Sequence, residues 1–107
     1  MISLFKSKRR LKNIQDGIKT WADAKIPDRT PDGQMLHLEK ELNELKVEWE
    51  VQDLDKAKEE LADIVIVALN LAGQMGFDME YEVLRKMEIN KKRMWSKPDS
   101  QGVIHHI

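Results

Sequence analysis

The stretch Leu61-Ala62-Asp63-Ile64-Val65-Ile66-Val67-Ala68-Leu69 constrains this chain more than any other. Wound as a helix it is apolar nearly all round, and such a helix must be packed on more than one side. Its β-propensity is high over Ile64–Val67, but a single run of that kind has no strand to pair with. The chain has 107 residues, enough for one domain with a modest buried fraction. The second side of this helix is therefore expected to be covered by another subunit. The longest apolar stretch, Ile64 to Ala72, is broken by Asn70 and is about half the length of a membrane span.

The rest of the chain reads as three more helices with short breaks. Leu11, Ile14, Ile18 and Trp21 recur at three- and four-residue steps, so the first helix is expected from about Lys8 to Lys25. Ile26 to Gly33, with two prolines, is a loop. The second helix is expected from Thr30 or Asp32 to about Val51, with Met35, Leu38, Leu42, Leu45 and Trp49 as its apolar stripe. Asp53 or Asp55 caps the third, Lys56 to Met75, and Gly76 stands where a helix-ending glycine belongs. Asp78 caps the fourth, to about Trp95, with Val83, Leu84, Met87 and Met94 facing inward; Pro98 and the tail over about 97–107 are expected to be irregular. The expected architecture is a single all-α domain over 1–107, a four-helix bundle.

Composition narrows the function classes. Charged residues are 35% of the chain but the formal net charge is −1, so nothing global favours a nucleic acid polymer or a membrane surface. The basic cluster Lys6, Lys8, Arg9, Arg10 and Lys12 reads either as a phosphate contact or, more simply, as a solvated helix start. There is no cysteine, which excludes disulfides and thiolate metal sites and is compatible with a reducing compartment. Residues 1–15 are too polar for a secretory signal. These features together suggest a soluble, cytoplasmic protein.

The acids fall where a core should be. At about 100° per residue, His37, Glu41, Glu44 and Glu48 occupy one arc beside the apolar stripe of the second helix. Glu60 and Asp63 share a face of the third, and Asp63 enters its most apolar segment. A lone buried carboxylate costs several kcal/mol unless it is paired or bound to a metal. Acid pairs at i, i+3 on neighbouring helices can converge on one point, and their oxygens suit magnesium, with manganese as substitute. The bland readings are solvated acids for Glu41 and Glu44, and an ion pair with Lys86 or Arg93 for Asp63. On the fourth helix Lys86, Asn90 and Arg93 share an arc. They could meet phosphate oxygens, or simply be basic residues suited to a helix C-terminus. Trp21, Trp49 and Trp95 are candidate stacking partners for a base, Trp49 being more simply packing. His37 lies one turn before Glu41, and His105 and His106 sit in the tail.

Leu38-Glu39-Lys40-Glu41-Leu42-Asn43-Glu44-Leu45, Glu59-Glu60-Leu61-Ala62-Asp63-Ile64, Gly76-Phe77-Asp78 and Lys86 to Arg93 together resemble the MazG-like nucleotide pyrophosphohydrolases over roughly residues 14–97. That family carries Glu-Glu-x-x-Glu, Glu-x-x-Asp, a Gly-hydrophobic-Asp turn and Lys-x-x-x-Asn-x-x-Arg, in this order. Trp21-Ala22-Asp23, Arg29-Thr30-Pro31, His37-Leu38 and the tail from Trp95 to His106 look closer still to a dATP/dGTP diphosphohydrolase-like branch.

The resemblance implies an all-α domain completed as a dimer or a dimer of dimers. It implies magnesium-dependent cleavage of a (deoxy)nucleoside triphosphate, closest to a purine dNTP, into monophosphate and pyrophosphate. Glu41, Glu44, Glu60 and Asp63 would hold the metal, with Glu41 or Glu44 as the general base. Lys86, Asn90 and Arg93 would contact phosphates and sugar, with His37 and Trp21 nearer the base. Lys40 replaces the family's first glutamate, which bears on the number of metal ions held directly. Two other readings stand beside this one: a non-catalytic nucleotide-binding module, and a phosphoribosyl-ATP pyrophosphohydrolase-like enzyme. A di-iron bundle is disfavoured because no Glu-x-x-His pair exists.

Overall fold

The computed structural model describes residues 9–107. Lys6, Lys8 and the expected start of the first helix at Lys8 lie outside them. Among the described residues there are four helices: α1 Arg10–Lys25, α2 Pro31–Glu50, α3 Leu54–Met75 and α4 Met79–Lys92. None of them is long and apolar enough to cross a membrane.

The helix ends are set by the residues the sequence offers. The Thr30 hydroxyl accepts from Gly33 N at 3.1 Å, with Pro31 in the first turn of α2. Asp53 accepts from Lys56 N at 3.2 Å and Asp78 from Tyr81 N at 3.3 Å, starting α3 and α4. Gly76 closes α3 with φ 85°, a conformation in which an L side chain is disfavoured. α1 has no cap of its own. Glu80 Oε1, from α4, accepts from the backbone N–H groups of Leu11 at 3.1 Å and Lys12 at 3.3 Å, placing a negative group at a helix N-terminus. Arg9 pairs with Glu80 and Asp78, so this part of the basic cluster is used within the fold.

α2 and α3 form the central antiparallel pair, and α1 lies on α3. The seam is not the stripe that hydrophobicity alone suggests. Toward α3, α2 turns Gln34, Leu38, Glu41 and Leu45, all buried or half-buried, whereas Met35, Leu42 and Trp49 are exposed. The seam admits polar groups because α3 supplies partners for them, and the more apolar face is left outward. α1 likewise buries Gln15 and Ala22, with Ile14 and Trp21 exposed. Gln15 is fully used: its Nε2 donates to Phe77 O and its Oε1 accepts from Met79 N, both at 2.9 Å. That pins the α3–α4 turn to α1.

α4 departs from expectation. It leaves α3 at an angle of 104° and packs chiefly on α1. Val83, Leu84, Met87 and Met94, expected to face inward, are exposed in the single chain, and α4 buries none of its residues. The helix stops at Lys92, short of Trp95, as Arg93 turns extended. The expected irregular tail folds back on itself. Ser96 N donates to His105 O at 2.7 Å, Ile107 N donates to Met94 O at 2.8 Å, and Trp95 and His106 form an antiparallel bridge. The result is open: the Cα radius of gyration is 16.6 Å, against about 13 Å for a compact domain of this length.

Candidate active site

The antiparallel α2/α3 seam carries Glu41 from one helix opposite Glu60 and Asp63 from the other. Each of the three offers a carboxylate oxygen, and these oxygens all lie within 4.8 Å of one another. Glu41 is only 7% exposed. His37 Nε2 lies 2.9 Å from Glu41 Oε1. Glu41 Oε2 and Glu60 Oε2 are sealed from solvent and have no hydrogen-bond partner. A folded protein rarely leaves two such acceptors facing each other, because each forfeits its hydration. Asp63 forms no ion pair with Lys86 or Arg93, and it is exposed rather than buried among its apolar neighbours as the sequence suggested.

The electrostatics agree. Glu41, then Glu44, then burial push the Glu60 carboxyl up to about 7. Glu41 goes the other way: its contact with Glu60 lowers it most, burial opposes this, and His37 adds to the lowering. Without a cation the pair keeps one proton between two carboxylates. A divalent ion would take that proton's place, and the all-oxygen donor set with two orphaned oxygens fits a hard cation. Glu44 is half-buried and close enough to raise Glu60, but it stands outside the three-residue cluster. It also lines an outer groove beside Lys40 and Asn43. Lys40 itself is exposed.

Glu41 and Asp63 open into a cavity of about 180 Å³ whose lining includes Trp21, Ile26, His37 and Val67. Two of the expected substrate-side residues, Trp21 and His37, are thus brought to the acids. Lys86, Asn90 and Arg93 are not among that cavity's walls. They sit on and just after α4, where Lys86 faces a separate hollow with Phe77 and Val83. Trp49 and Trp95 are also elsewhere. Trp95 Nε1 donates to Asn90 O at 3.1 Å and its ring meets His106 edge-on at 6.1 Å. His105 Nε2 lies 2.9 Å from Asp99 Oδ2, so the tail histidines are engaged within the tail.

Two residues that sequence reasoning passed over complete the cavity: Gln34 and Asn70, both buried. Arg29 Nε donates to Asn70 Oδ1 at 2.8 Å, and Asn70 Nδ2 donates to Gln34 Oε1 at 3.2 Å. Arg29 is itself held by Asp23 Oδ1 at 2.8 Å, while Gln74 Nε2 donates to its carbonyl at 3.0 Å. The signal was present as register. Gln34 is seven residues before Glu41 and Asn70 seven after Asp63, so on antiparallel helices two amides meet two turns from the acids.

The model of the MazG-like family matches residues 33–102, a span that contains the acids and both amides. The chain belongs to the MazG-like family. It is 34% identical over 96 residues to a dATP/dGTP diphosphohydrolase of Cyanophage S-2L, covering 88% of this chain and 85% of that protein. It is 37% identical over 95 residues to a dATP/dGTP diphosphohydrolase of Salmonella phage PMBT28, covering 89% of this chain but spanning only 31% of that longer relative. Among solved structures it resembles the Cyanophage S-2L MazG-like pyrophosphohydrolase bound to dGDP and three catalytic Mn2+ ions per active site. That match has a TM-score of 0.75 and 32% identity, covering 91% of this chain and 96% of the other. An all-α fold, expected from the helical periodicity, of the MazG-like kind that the resemblance implied, is therefore what this chain adopts.

Proposed function

We propose that this chain hydrolyses purine deoxynucleoside triphosphates to the monophosphate and pyrophosphate, with magnesium as the working ion and manganese as a substitute. The observation that carries this reading is the meeting of Glu41, Glu60 and Asp63 in an otherwise packed seam, with two carboxylate oxygens sealed and unpaired. The cyanophage relative, which binds dGDP and Mn2+ and is named for dATP and dGTP, supports the substrate class.

Glu41, Glu60 and Asp63 would hold the ion, with Glu44 at its margin. When bound, the metal supplies charge stabilisation at phosphoryl oxygens and lowers the pKa of a coordinated water. Glu44 is the better placed general base of the two candidates, because Glu41 is committed to Glu60 and His37. His37 holds Glu41 through its 2.9 Å contact. Trp21, half exposed at the mouth of the cavity, offers a face on which a base can stack. Lys86, Asn90 and Arg93 are the proposed contacts for phosphates and sugar that extend beyond the cavity.

We also propose that the working form is a homo-oligomer. Leu61 and Val65 are 53% and 48% exposed on the helix that carries the acids, and the chain is more open than its length requires.

The reaction is tested by incubating the protein with each of eight (deoxy)nucleoside triphosphates and magnesium or manganese, then separating the products. Monophosphate and pyrophosphate from dATP and dGTP are expected. Orthophosphate with a diphosphate, or no turnover with either metal, would overturn the assignment.

A further inference from the structure

We infer that Gln34 selects the base, donating a hydrogen bond from its Nε2 to purine N7, and that Asp23, Arg29 and Asn70 lock it in that orientation; this rests on the nucleotide reading of the cavity above. The lock is directional. Arginine carries only donors, and Asp23 holds the Arg29 guanidinium in place. Asn70 must therefore turn its Oδ1 toward Arg29, as it does at 2.8 Å. Its Nδ2 is then the only group it can show to Gln34, and Gln34 must answer with Oε1, as it does at 3.2 Å. Gln34 Nε2 is left over. Among the described residues it has no acceptor, and it is not one of the sealed polar atoms, so it reaches the open space that Gln34 lines, which comprises the acid cavity and an adjoining hollow that shares Ile26 and His37 with it. The charge on Arg29 thus decides, two side chains away, that the cavity shows a donor and not an acceptor.

The distances suit a nucleotide. Seven residues separate Gln34 from Glu41 and Asn70 from Asp63, about 10 Å along each helix at 1.5 Å per residue. That is of the order of the span from a metal-bound phosphate across a sugar to the far edge of its base. Trp21 and Ile26 line the same cavity and supply apolar walls for a ring. Adenine and guanine both carry an acceptor at N7, whereas cytosine's corresponding edge offers only the N4 donor. A fixed donor accepts both purines and meets cytosine donor to donor, while thymine, whose O4 accepts, is not rejected by this contact.

The test uses probes that differ at one atom. Binding of dGMP and 7-deaza-dGMP is measured by calorimetry, in magnesium, for the wild type, Gln34→Ala and Asn70→Asp. The wild type should bind 7-deaza-dGMP about tenfold more weakly, the loss of one neutral hydrogen bond. In Gln34→Ala the two ligands should bind alike. Asn70→Asp keeps an acceptor for Arg29 but has no donor for Gln34. Gln34 then turns its Nε2 inward and shows its Oε1, so the preference for N7 should vanish while the fold, followed by circular dichroism, survives. Equal affinities in the wild type, or an unchanged penalty in both variants, would overturn the inference. A pyrophosphate-release assay on the same wild-type sample separates the two levels. Discrimination without turnover removes the proposed reaction and keeps the base reading; turnover without discrimination does the reverse. The wild-type comparison alone decides the matter should a variant fail to fold.

Discussion

Glu41 and Glu60 face each other across the α2/α3 seam, each with one carboxylate oxygen sealed from water and unpaired. The consequence is a pH dependence with a definite sign. Glu60, ordinarily near 4.5, is pushed up to about 7, chiefly by Glu41. In the metal-free protein its contribution to stability is complete below the unfolded value and is lost as pH rises through about 7. Glu41 is lowered and works oppositely, its contribution being lost only in acid. The metal-free melting temperature should therefore decline between pH 5 and pH 8, apart from the acid limb. Saturating magnesium or manganese should abolish the decline, and Glu60→Gln should flatten it without metal. Scanning calorimetry across that range, with and without the ion, checks this. Metal affinity should rise over the same interval, because the ion displaces a proton.

Substitution of Asp63 should separate the proposed catalysis from stability more cleanly than substitution of its neighbours. Asp63 is exposed, yet one of its oxygens belongs to the cluster. Asp63→Asn should leave helix content and melting temperature close to those of the wild type without metal. Turnover should drop by about two orders of magnitude or more, since a bound metal contributes several kcal/mol to transition-state stabilisation. Steady-state rates beside circular dichroism are the measurements, and a fully active variant would falsify Asp63 as a ligand.

How far the sequence revealed this differs by element. Caps and breaks were legible, because Thr30, Asp53, Gly76 and Asp78 act through local backbone geometry that neighbours do not alter. Glu60 and Asp63 were legible as a pair on one face of α3, which the structure turns toward Glu41, although Asp63 is exposed rather than buried in its apolar segment. The helix faces were harder to read. Leu42 and Trp49 looked like core and are exposed, whereas Gln34 and Glu41 are buried. Hydrophobicity ranks a face by solvent transfer, but this seam is decided by polar pairs that span two helices, and no single helix shows them. The tail is irregular, as expected, but it is ordered by contacts that local pattern does not show. Its order comes from Asp99 accepting from Gln101 N and Val103 N, each at 2.9 Å, and from the Trp95–His106 pairing.

Gln15 supports α4 almost alone among buried side chains. Its two hydrogen bonds span the turn from Phe77 to Met79, and α4 buries nothing of its own. Gln15→Ala should cost about 1–3 kcal/mol, the penalty for stranding two backbone groups. The loss should be uneven. Amide hydrogen exchange should speed up over α4 and the first turn of α1, which Glu80 caps, before it speeds up in α2 and α3. Uniform acceleration over all four helices would contradict this division.

Gly76 carries a cost that is purely conformational. Its φ is +85° and nothing lies within 4 Å of the place a Cβ would occupy. Gly76→Ala should therefore destabilise by about 1–2 kcal/mol through the left-handed backbone alone. The acid cluster is more than two turns away along α3, so metal affinity should stay unchanged. Urea denaturation and a metal titration on one sample separate the two effects.

The outward face of α3 bears on assembly. Leu54, Leu61 and Val65 recur at helical spacing and are about half exposed, on the same helix whose other side builds the acid seam. Fully burying each such side chain is worth about 1.5–3 kcal/mol, so leaving all three in water forgoes a large part of what stabilises a marginal domain. The wild type should sediment as an oligomer, and its melting temperature should rise with protein concentration. Leu61→Lys with Val65→Lys should shift the mass to one chain and remove that concentration dependence. Because neither side chain is needed to close the α2/α3 seam, the double variant should keep its helix content at high concentration. A wild type that sediments as a single chain at every concentration would leave these side chains without a partner and refute the assembly.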